Sequence, residues 1–346
     1  MTAEPLLDLR DLEVSFRTED GVVRAVGGVD IELAAGEVLA VVGESGSGKS
    51  ATALALMGLS RGPNTTISGA ARFEGTDLVA AGEDELRRIR GNRISMIFQD
   101  PMTSFNPVYR IADQIVEQIR AHRDMPAAEA RARAIDLLEA VGIPAAKKRA
   151  DAYPHELSGG MRQRAMIAMA LSLEPSLLIA DEPTTALDVT IQAQIIDLLR
   201  ELNRSRDLSI VLITHDIGVV AEIADRVAVM YAGEIVEQGD LDQVFYDPQH
   251  PYTWGLLGSL TRIDRPRPVR LPQIPGAPPS LVDPPAGCRF RARCPHAFER
   301  CLERPGLEAR QDESPDHLDR CWLAPEVKEQ RREVDGRIAL DAGGST

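Results

Sequence analysis

The sequence predicts an α/β fold with a mixed sheet, a helical insert and a small extension rich in cysteine and proline. Three observations carry the prediction. The apolar run Val38, Leu39, Ala40, Val41, Val42 leads directly into Gly43, Glu44, Ser45, Gly46, Ser47, Gly48, Lys49 and Ser50, the pattern G-x-x-x-x-G-K-[ST]. Further apolar runs at residues 94–98, 176–180 and 210–213 suit buried parallel strands, and each ends in polar residues. Residues 111–150 instead repeat apolar side chains at helical spacing, at Ile111, Ile115 and Ile119, then at Ala134, Leu137, Leu138 and Val141.

Composition sets the outer limits. With 346 residues and 44% hydrophobic content, the chain has enough apolar material for one large or two medium domains without disulfide staples. No apolar run approaches the roughly eighteen residues that span a bilayer. The opening Met1, Thr2, Ala3, Glu4, Pro5 lacks a basic stretch followed by an apolar one. The chain is therefore expected to stay in the cytosol. A net charge of −14 disfavours a nucleic-acid partner, which usually needs a clustered basic face.

Taken in order, residues 9–16 alternate as a strand, and Asp20 with Gly21 turns the chain into a second strand at about 22–29. Phe16 ends the first strand, where it either stacks on a base or fills the core; the residues alone leave both open. The loop at 43–50 reads as phosphate-binding. Gly43, Gly46 and Gly48 let the backbone curl with its N–H groups inward, and the helix expected at 51–59 adds the positive end of its dipole. Lys49 is placed to reach the β- and γ-phosphates and Ser50 to ligate Mg²⁺, with Ala51 counted among the nucleotide-binding residues. Of 39 Lys and Arg, only Lys49, Lys147, Lys148 and Lys328 are lysines, yet the loop carries one. A compact ammonium fits a ring of backbone amides that would exclude a guanidinium fork.

Two short strands are expected around 67–73 and a charged helix at 85–93. The strand at 94–98 then delivers Gln99 just before Pro101, which aims a polar side chain into a site or merely closes the strand. After the helical insert, Ser158, Gly159 and Gly160 open a helix at 161–173, a second start suited to anions. The strand at 176–180 ends in Asp181 and Glu182, at the end of a parallel strand where α/β sheets bind ligands. Asp181 is placed to hold Mg²⁺ and Glu182 to polarise a water; the alternative is an acidic cap on the helix expected at 191–203. The strand at 210–213 delivers His215, the third strand-end polar group in succession.

The loop at 43–50, Gln99, the Leu-Ser-Gly-Gly stretch at 157–163, residues 177–182 and 186–188, and His215 resemble, in this order, the nucleotide-binding subunit of ABC transporters. The resemblance runs from residue 6 to about 245 and implies an ABC-type P-loop nucleotide-binding domain over 1–245, with a helical subdomain at about 85–165. It implies ATP and Mg²⁺ as cofactors and a head-to-tail dimer with a second ATP-binding subunit, each ATP lying between one subunit's phosphate loop and the other's Leu-Ser-Gly-Gly helix. By the same resemblance, Phe16 stacks adenine, and Ser50, Gln99 and Asp181 serve Mg²⁺. Glu182 is then the general base, Lys49 absorbs charge, His215 senses the γ-phosphate, and Ser158, Gly159 and Gly160 meet the partner's nucleotide.

Residues 96–104, 250–253 and 274–280 resemble, more narrowly, the ATPases of dipeptide/oligopeptide importers, which implies a C-terminal extension over 246–330 and a tail at 331–346 expected to be disordered. The implied activity is ATP hydrolysis driving import of di- or oligopeptides, or alternatively of nickel or another small solute. The implied partners are two membrane permease subunits and an extracytoplasmic solute-binding protein, with this chain peripheral on the cytoplasmic side of the cell membrane. Two rivals are a soluble ABC ATPase acting on DNA or ribosomes, which commonly carries fused nucleotide domains or long coiled coils, and an exporter ATPase, against which the extension argues. Phe105 stands where the family pattern has leucine, in a loop expected to face the membrane partner.

The chain's 4 cysteines, Cys288, Cys294, Cys301 and Cys321, all follow residue 287. In a reducing compartment such a cluster reads as metal-binding before it reads as disulfide. Gaps of five, six and nineteen residues match neither the tight pairs of structural zinc nor common ferredoxin spacings, so spacing alone gives a four-thiolate site of unnamed metal. The C-x₅-C-x₆-C run resembles the C-terminal motif of peptide-importer ATPases, some of which carry a [4Fe–4S] cluster; this implies iron–sulfur, with Zn²⁺ the alternative. Arg289, Arg291, Arg293 and Arg300 either offset a cluster's charge or form a solvated basic face. Eight prolines between Pro266 and Pro285 predict an extended strap over 262–285.

Overall fold

The computed structural model describes residues 4–100, 104–185, 187–259, 274–309 and 314–332. Two sheets organise them. In the first, β1 (Leu7–Thr18) pairs antiparallel with β2 (Gly21–Leu33) and with β4 (Thr65–Phe73), and β4 carries β5 (Thr76–Asp77). The sequence predicts two short strands around 67–73; the structure has one strand of 9 residues there. Leu7, Leu9, Leu12 and Val14 of β1 are all buried.

The second sheet holds β3 (Val38–Val42), β6 (Ile94–Ile97), β7 (Leu177–Asp181), β8 (Ser209–Thr214), β9 (Arg226–Tyr231), β10 (Glu234–Asp240), β11 (Glu308–Ala309) and β12 (Leu318–Asp319). Its order is β11-β12-β10-β9-β3-β8-β7-β6. Pairing is parallel from β9 across to β6 and antiparallel from β9 to β11, so the sheet is mixed. Every residue of β3, β6, β7 and β8 is buried, which is why these strands read as unbroken apolar runs. Leu39 and Val41 face a core shared with the first sheet, whereas Ala40 and Val42 face the opposite side.

Helices cover both faces. In chain order they are α1 (Lys49–Leu56), α2 (Glu83–Ile89), α3 (Ile111–His122), α4 (Ala127–Ala140), α5 (Ala146–Arg149), α6 (Gly159–Ala170), α7 (Val189–Arg206), α8 (Ile217–Ile223), α9 (Leu241–Tyr246) and α10 (Pro251–Gly258). The expected helical insert is α3 to α5, and its stripe of Ile111, Ile115, Ile119, Ala134 and Leu138 is fully buried. Each such aliphatic side chain larger than alanine contributes about 1.5–3 kcal/mol of burial. Phe105 is only 2% exposed and belongs to this core, while Val108 and Tyr109 on the same loop are 70% and 56% exposed.

The C-terminal residues extend the second sheet. β12 pairs with β10 through Glu237 opposite Asp319 and Gln238 opposite Leu318. Buried polar contacts fasten this edge: Lys328 Nζ lies 2.7 Å from Asp319 Oδ2, and the Glu237 carboxylate meets His317 Nε2 at 2.8 Å and accepts from the backbone of Gln249 and His250. Residues 274–285 form neither helix nor strand, while the part of the expected strap at 262–273 lies outside the described residues. Residues 325–332 are helical, and the rest of the expected tail, 333–346, also lies outside them. Among the described residues, no helix is long and apolar enough to cross a membrane.

Candidate nucleotide-binding and hydrolysis site

The phosphate loop leaves the end of β3 pressed against its neighbours. A Cβ at Gly43 would lie 2.0 Å from the Met230 carbonyl oxygen, and one at Gly48, where φ is +108°, 2.4 Å from that of Ala25. Only glycine fits either position. α1 begins at Lys49, and the Lys49 ammonium, 5% exposed, donates to the carbonyls of Gly43 at 2.8 Å and Glu44 at 3.0 Å. Burial pulls its pKa below the ordinary lysine value, against the opposing pull of Glu182, Asp181 and Glu44. Ser47 is buried and its carbonyl accepts from the Gly233 N–H at 2.7 Å; Ser45 and Gly46 are exposed at the tip, and Ala51 packs part-buried on the core beneath α1.

Across the loop, α1 meets the end of β7. Ser50 Oγ donates to Asp181 Oδ1 at 3.1 Å. Burial, the largest influence, raises the Asp181 pKa, with the Ser50 hydrogen bond working against it. The pair supplies hard oxygen donors of the kind that Mg²⁺ takes, so the residues fit the expected ion.

Parallel pairing sets the next layer. Ile97 lies opposite Ala180 and Asp181 opposite Ile213, so the residues just past β6, β7 and β8 arrive side by side. The Glu182 carboxylate accepts from Gln99 Nε2 at 2.9 Å and Thr185 Oγ1 at 2.8 Å, and meets His215 Nδ1 at 3.2 Å. Burial pushes the Glu182 carboxyl up, but the Thr185 and His215 hydrogen bonds and the charges of His215 and Lys49 outweigh it, leaving the pKa below the ordinary carboxylate value. The three strand-end groups picked out in the sequence thus form one cluster. Sequence reasoning missed Thr185, whose position three residues after Glu182 is the one local signal for it.

Other expected residues lie elsewhere. Ser158 caps α6, its Oγ accepting from the Met161 N–H at 3.3 Å. Ser158, Gly159 and Gly160 line a surface cleft with Leu187, Asp188 and Ile191, and no residue of the phosphate loop lines it. Within one chain the two anion-ready helix starts therefore stay apart. Phe16 is part-buried against the core between the sheets.

Cys288, Cys294, Cys301 and Cys321 all line one small cavity, together with His250 and Phe290. None of the four is in a disulfide. Burial raises the Cys288 pKa and pushes that of Cys321 up to about 12, so without a cation these thiols hold their protons. Among the described residues, no three metal-ligating side chains stand close enough to hold a single ion. Two of the intervening arginines correct the alternative of a solvated basic face. The Arg289 side chain is 9% exposed and pairs with Glu234, and Arg293 is buried and pairs with Glu44. Arg300 stacks over the Trp322 ring at 3.9 Å, and Arg291 lines the cavity.

A phosphate loop on a mixed sheet, a strand-end carboxylate held by Gln and His, and a second capped helix start on another face together define an ATP-binding cassette. Residues 26–185 match the ABC transporter family and residues 236–301 the oligopeptide/dipeptide transporter C-terminal region. The chain is 51% identical to the oligopeptide transport ATP-binding protein OppD of Bacillus subtilis over 93% of this chain and 91% of that protein, and 52% identical to OppD of Escherichia coli over 92% and 94%. It is also 51% identical to the dipeptide transport ATP-binding protein DppD of Bacillus subtilis over 92% and 95%. The chain belongs to the oligopeptide/dipeptide family of ABC transporter ATP-binding proteins. Among solved structures it is similar to the dimeric post-hydrolysis state of the ATP-binding cassette MJ0796 bound to ADP and Pi, with a TM-score of 0.62 and 27% identity over 68% of this chain and 98% of that one.

Proposed function

We propose that this chain is the ATP-hydrolysing subunit that energises import of di- and oligopeptides through a multisubunit ABC transporter. The observation that carries the chemistry is the Glu182 carboxylate, ionised and aimed by Gln99, Thr185 and His215, on the same sheet edge as Lys49 and Asp181. In this reading Glu182 accepts a hydrogen bond from the attacking water and takes its proton as the γ-phosphate leaves ADP. Lys49 exchanges its loop carbonyls for phosphate oxygens, Phe16 lies under the adenine, and His215 contacts the γ-phosphate while holding Glu182. Ser50, Asp181 and Gln99 hold Mg²⁺, which when bound neutralises charge on the β- and γ-phosphates.

The separation of the Ser158 helix start from the phosphate loop supports a head-to-tail dimer with a second ATP-binding subunit, in which Ser158, Gly159 and Gly160 complete the partner's site. Two permease subunits and an extracytoplasmic solute-binding protein complete the importer, with this chain peripheral on the cytoplasmic side of the cell membrane. Exposed Val108 and Tyr109 offer that assembly an apolar contact. Residues 1–245 act as the ATPase domain and 246–330 as the extension.

The four-cysteine cavity holds a [4Fe–4S] cluster in this reading. What supports the reading is that all four thiols line that one cavity. The assembly is tested by pull-down from cell membranes with this chain as bait. Recovery of two polytopic permeases is the expected result; ribosomes or DNA in their place would reassign the protein to a soluble ABC ATPase.

A further inference from the structure

Glu44, the second residue of the phosphate loop, is gripped from the far end of the chain. Its carboxylate receives both arms of the Arg293 guanidinium, Nη1 to Oε2 at 2.7 Å and Nη2 to Oε1 at 3.0 Å. Its backbone N–H donates to the Tyr252 hydroxyl at 2.9 Å, and its carbonyl accepts from Lys49 Nζ. The residue that takes these contacts is thus one hydrogen bond from the ammonium meant for the phosphates.

Arg293 is itself immobilised. Its side chain is 5% exposed, and its remaining donors go to the Pro275 carbonyl at 2.9 Å, the Ile274 carbonyl at 3.2 Å and the Tyr231 hydroxyl at 3.3 Å. All of a guanidinium's N–H groups are then used. Beneath it Tyr231, Tyr252 and Phe290 pack ring against ring, with centroids 4.6, 5.3 and 5.5 Å apart. A second support reaches the loop from behind. Gly233 donates to the Ser47 carbonyl, and the adjacent Glu234 is held by Arg289 at 3.1 Å and Arg304 at 2.9 Å, both from the extension.

Such an arrangement does little for stability, since a buried ion pair returns about what its desolvation cost. What a bidentate, fully satisfied guanidinium does supply is geometry. We propose that Arg293 and Tyr252 are positioning residues for ATP binding: the C-terminal extension fixes Glu44, and through it the phosphate loop and the Lys49 ammonium, in the shape that accepts a nucleotide's phosphates. The inference rests on the reading of residues 43–50 as the ATP site and adds that the site is incomplete without the extension.

The test is a double-mutant cycle on the full chain, with Arg293→Ala, Glu44→Ala and both together, reading equilibrium binding of a fluorescent ATP analogue, KM and kcat for ATP, and thermal unfolding without nucleotide. Each single change is expected to weaken binding about tenfold or more, and the double variant to be no weaker than the worse single, because the two side chains act as one unit. Arg293→Lys keeps the charge without the fork and should recover only part of the affinity. Additive losses, or unchanged affinity in folded Arg293→Ala protein, overturn the proposal, as does a lowered Tm with wild-type binding. If Arg293→Ala does not fold, Tyr252→Phe removes one hydroxyl and no packing; a severalfold loss of affinity is expected, and none overturns the role of Tyr252. Failure of the wild-type chain to bind the analogue would count against the ATP site itself and not against the clamp.

Discussion

Glu182 sits at φ +47°, a left-handed backbone that costs a residue with a side chain about 1–2 kcal/mol. The conformation persists because its surroundings over-determine it: the backbone N–H donates to the Ile213 carbonyl at 2.8 Å, and the side chain has three partners. The strain turns the carboxylate off the strand axis and into the cluster. Glu182→Gln keeps the shape and removes the base. It should retain ATP binding while single-turnover hydrolysis falls by about 10²-fold or more, and should trap a nucleotide-bridged dimer visible by size exclusion; normal turnover would remove Glu182 from the mechanism. Because the folded pKa lies below the ordinary 4.5, the carboxylate is ionised above that value. Activity lost through its protonation should therefore appear only at pH below 4.5, and a pH–rate profile falling through pH 6 would have to be assigned to another group.

The elements behave as their side-chain periods require. Ile115 of α3 is 0% exposed in the core of the helical insert, and Ile115→Ala should lower unfolding free energy by about 2–5 kcal/mol in urea titration. In the single chain Ser158→Ala removes the cap of α6 and should cost about 1 kcal/mol of stability. These elements could be read in the sequence because a buried parallel strand is a continuous apolar run and an amphipathic helix repeats every 3.6 residues. β11 and β12 have 2 residues each and no period to detect; β12 exists because β10 offers an edge far away in sequence, and β11 pairs in turn with β12. The cluster around Glu182 was likewise foreseeable, since strand ends converge once strands are parallel. The burial of Phe105 was not legible because an apolar residue in a loop looks the same whether it turns inward or outward. Arg293 was read against its neighbours in the chain, Cys288 and Cys294, when its partner Glu44 lies 249 positions away.

At the scale of the molecule, buried polar groups join the extension to the ATPase alongside an apolar cluster in which Tyr252 and Phe290 pack against Val42, Val229 and Tyr231. Glu237 of the ATPase is 0% exposed and binds His317 of the extension, while Asp319, also 0% exposed, binds Lys328 within the extension; breaking such a buried pair by removing a single partner costs about 3–5 kcal/mol. The four cysteines add a second fastening, because Cys321 follows β12 by two residues while Cys288, Cys294 and Cys301 belong to the segment that carries Arg289 and Arg293. A metal bound by all of them would tie the sheet edge to the arginines that hold the phosphate loop. Anaerobic purification should then give a brown protein with about four iron and four sulfide per chain, and Cys321→Ser should lose both and show faster amide exchange at β12 and around residues 299–302. A colourless protein with stoichiometric zinc would replace the cluster by a zinc site. Four freely titrating thiols and no metal would leave the extension without a metal fastening, and Cys321→Ser would then leave amide exchange unchanged.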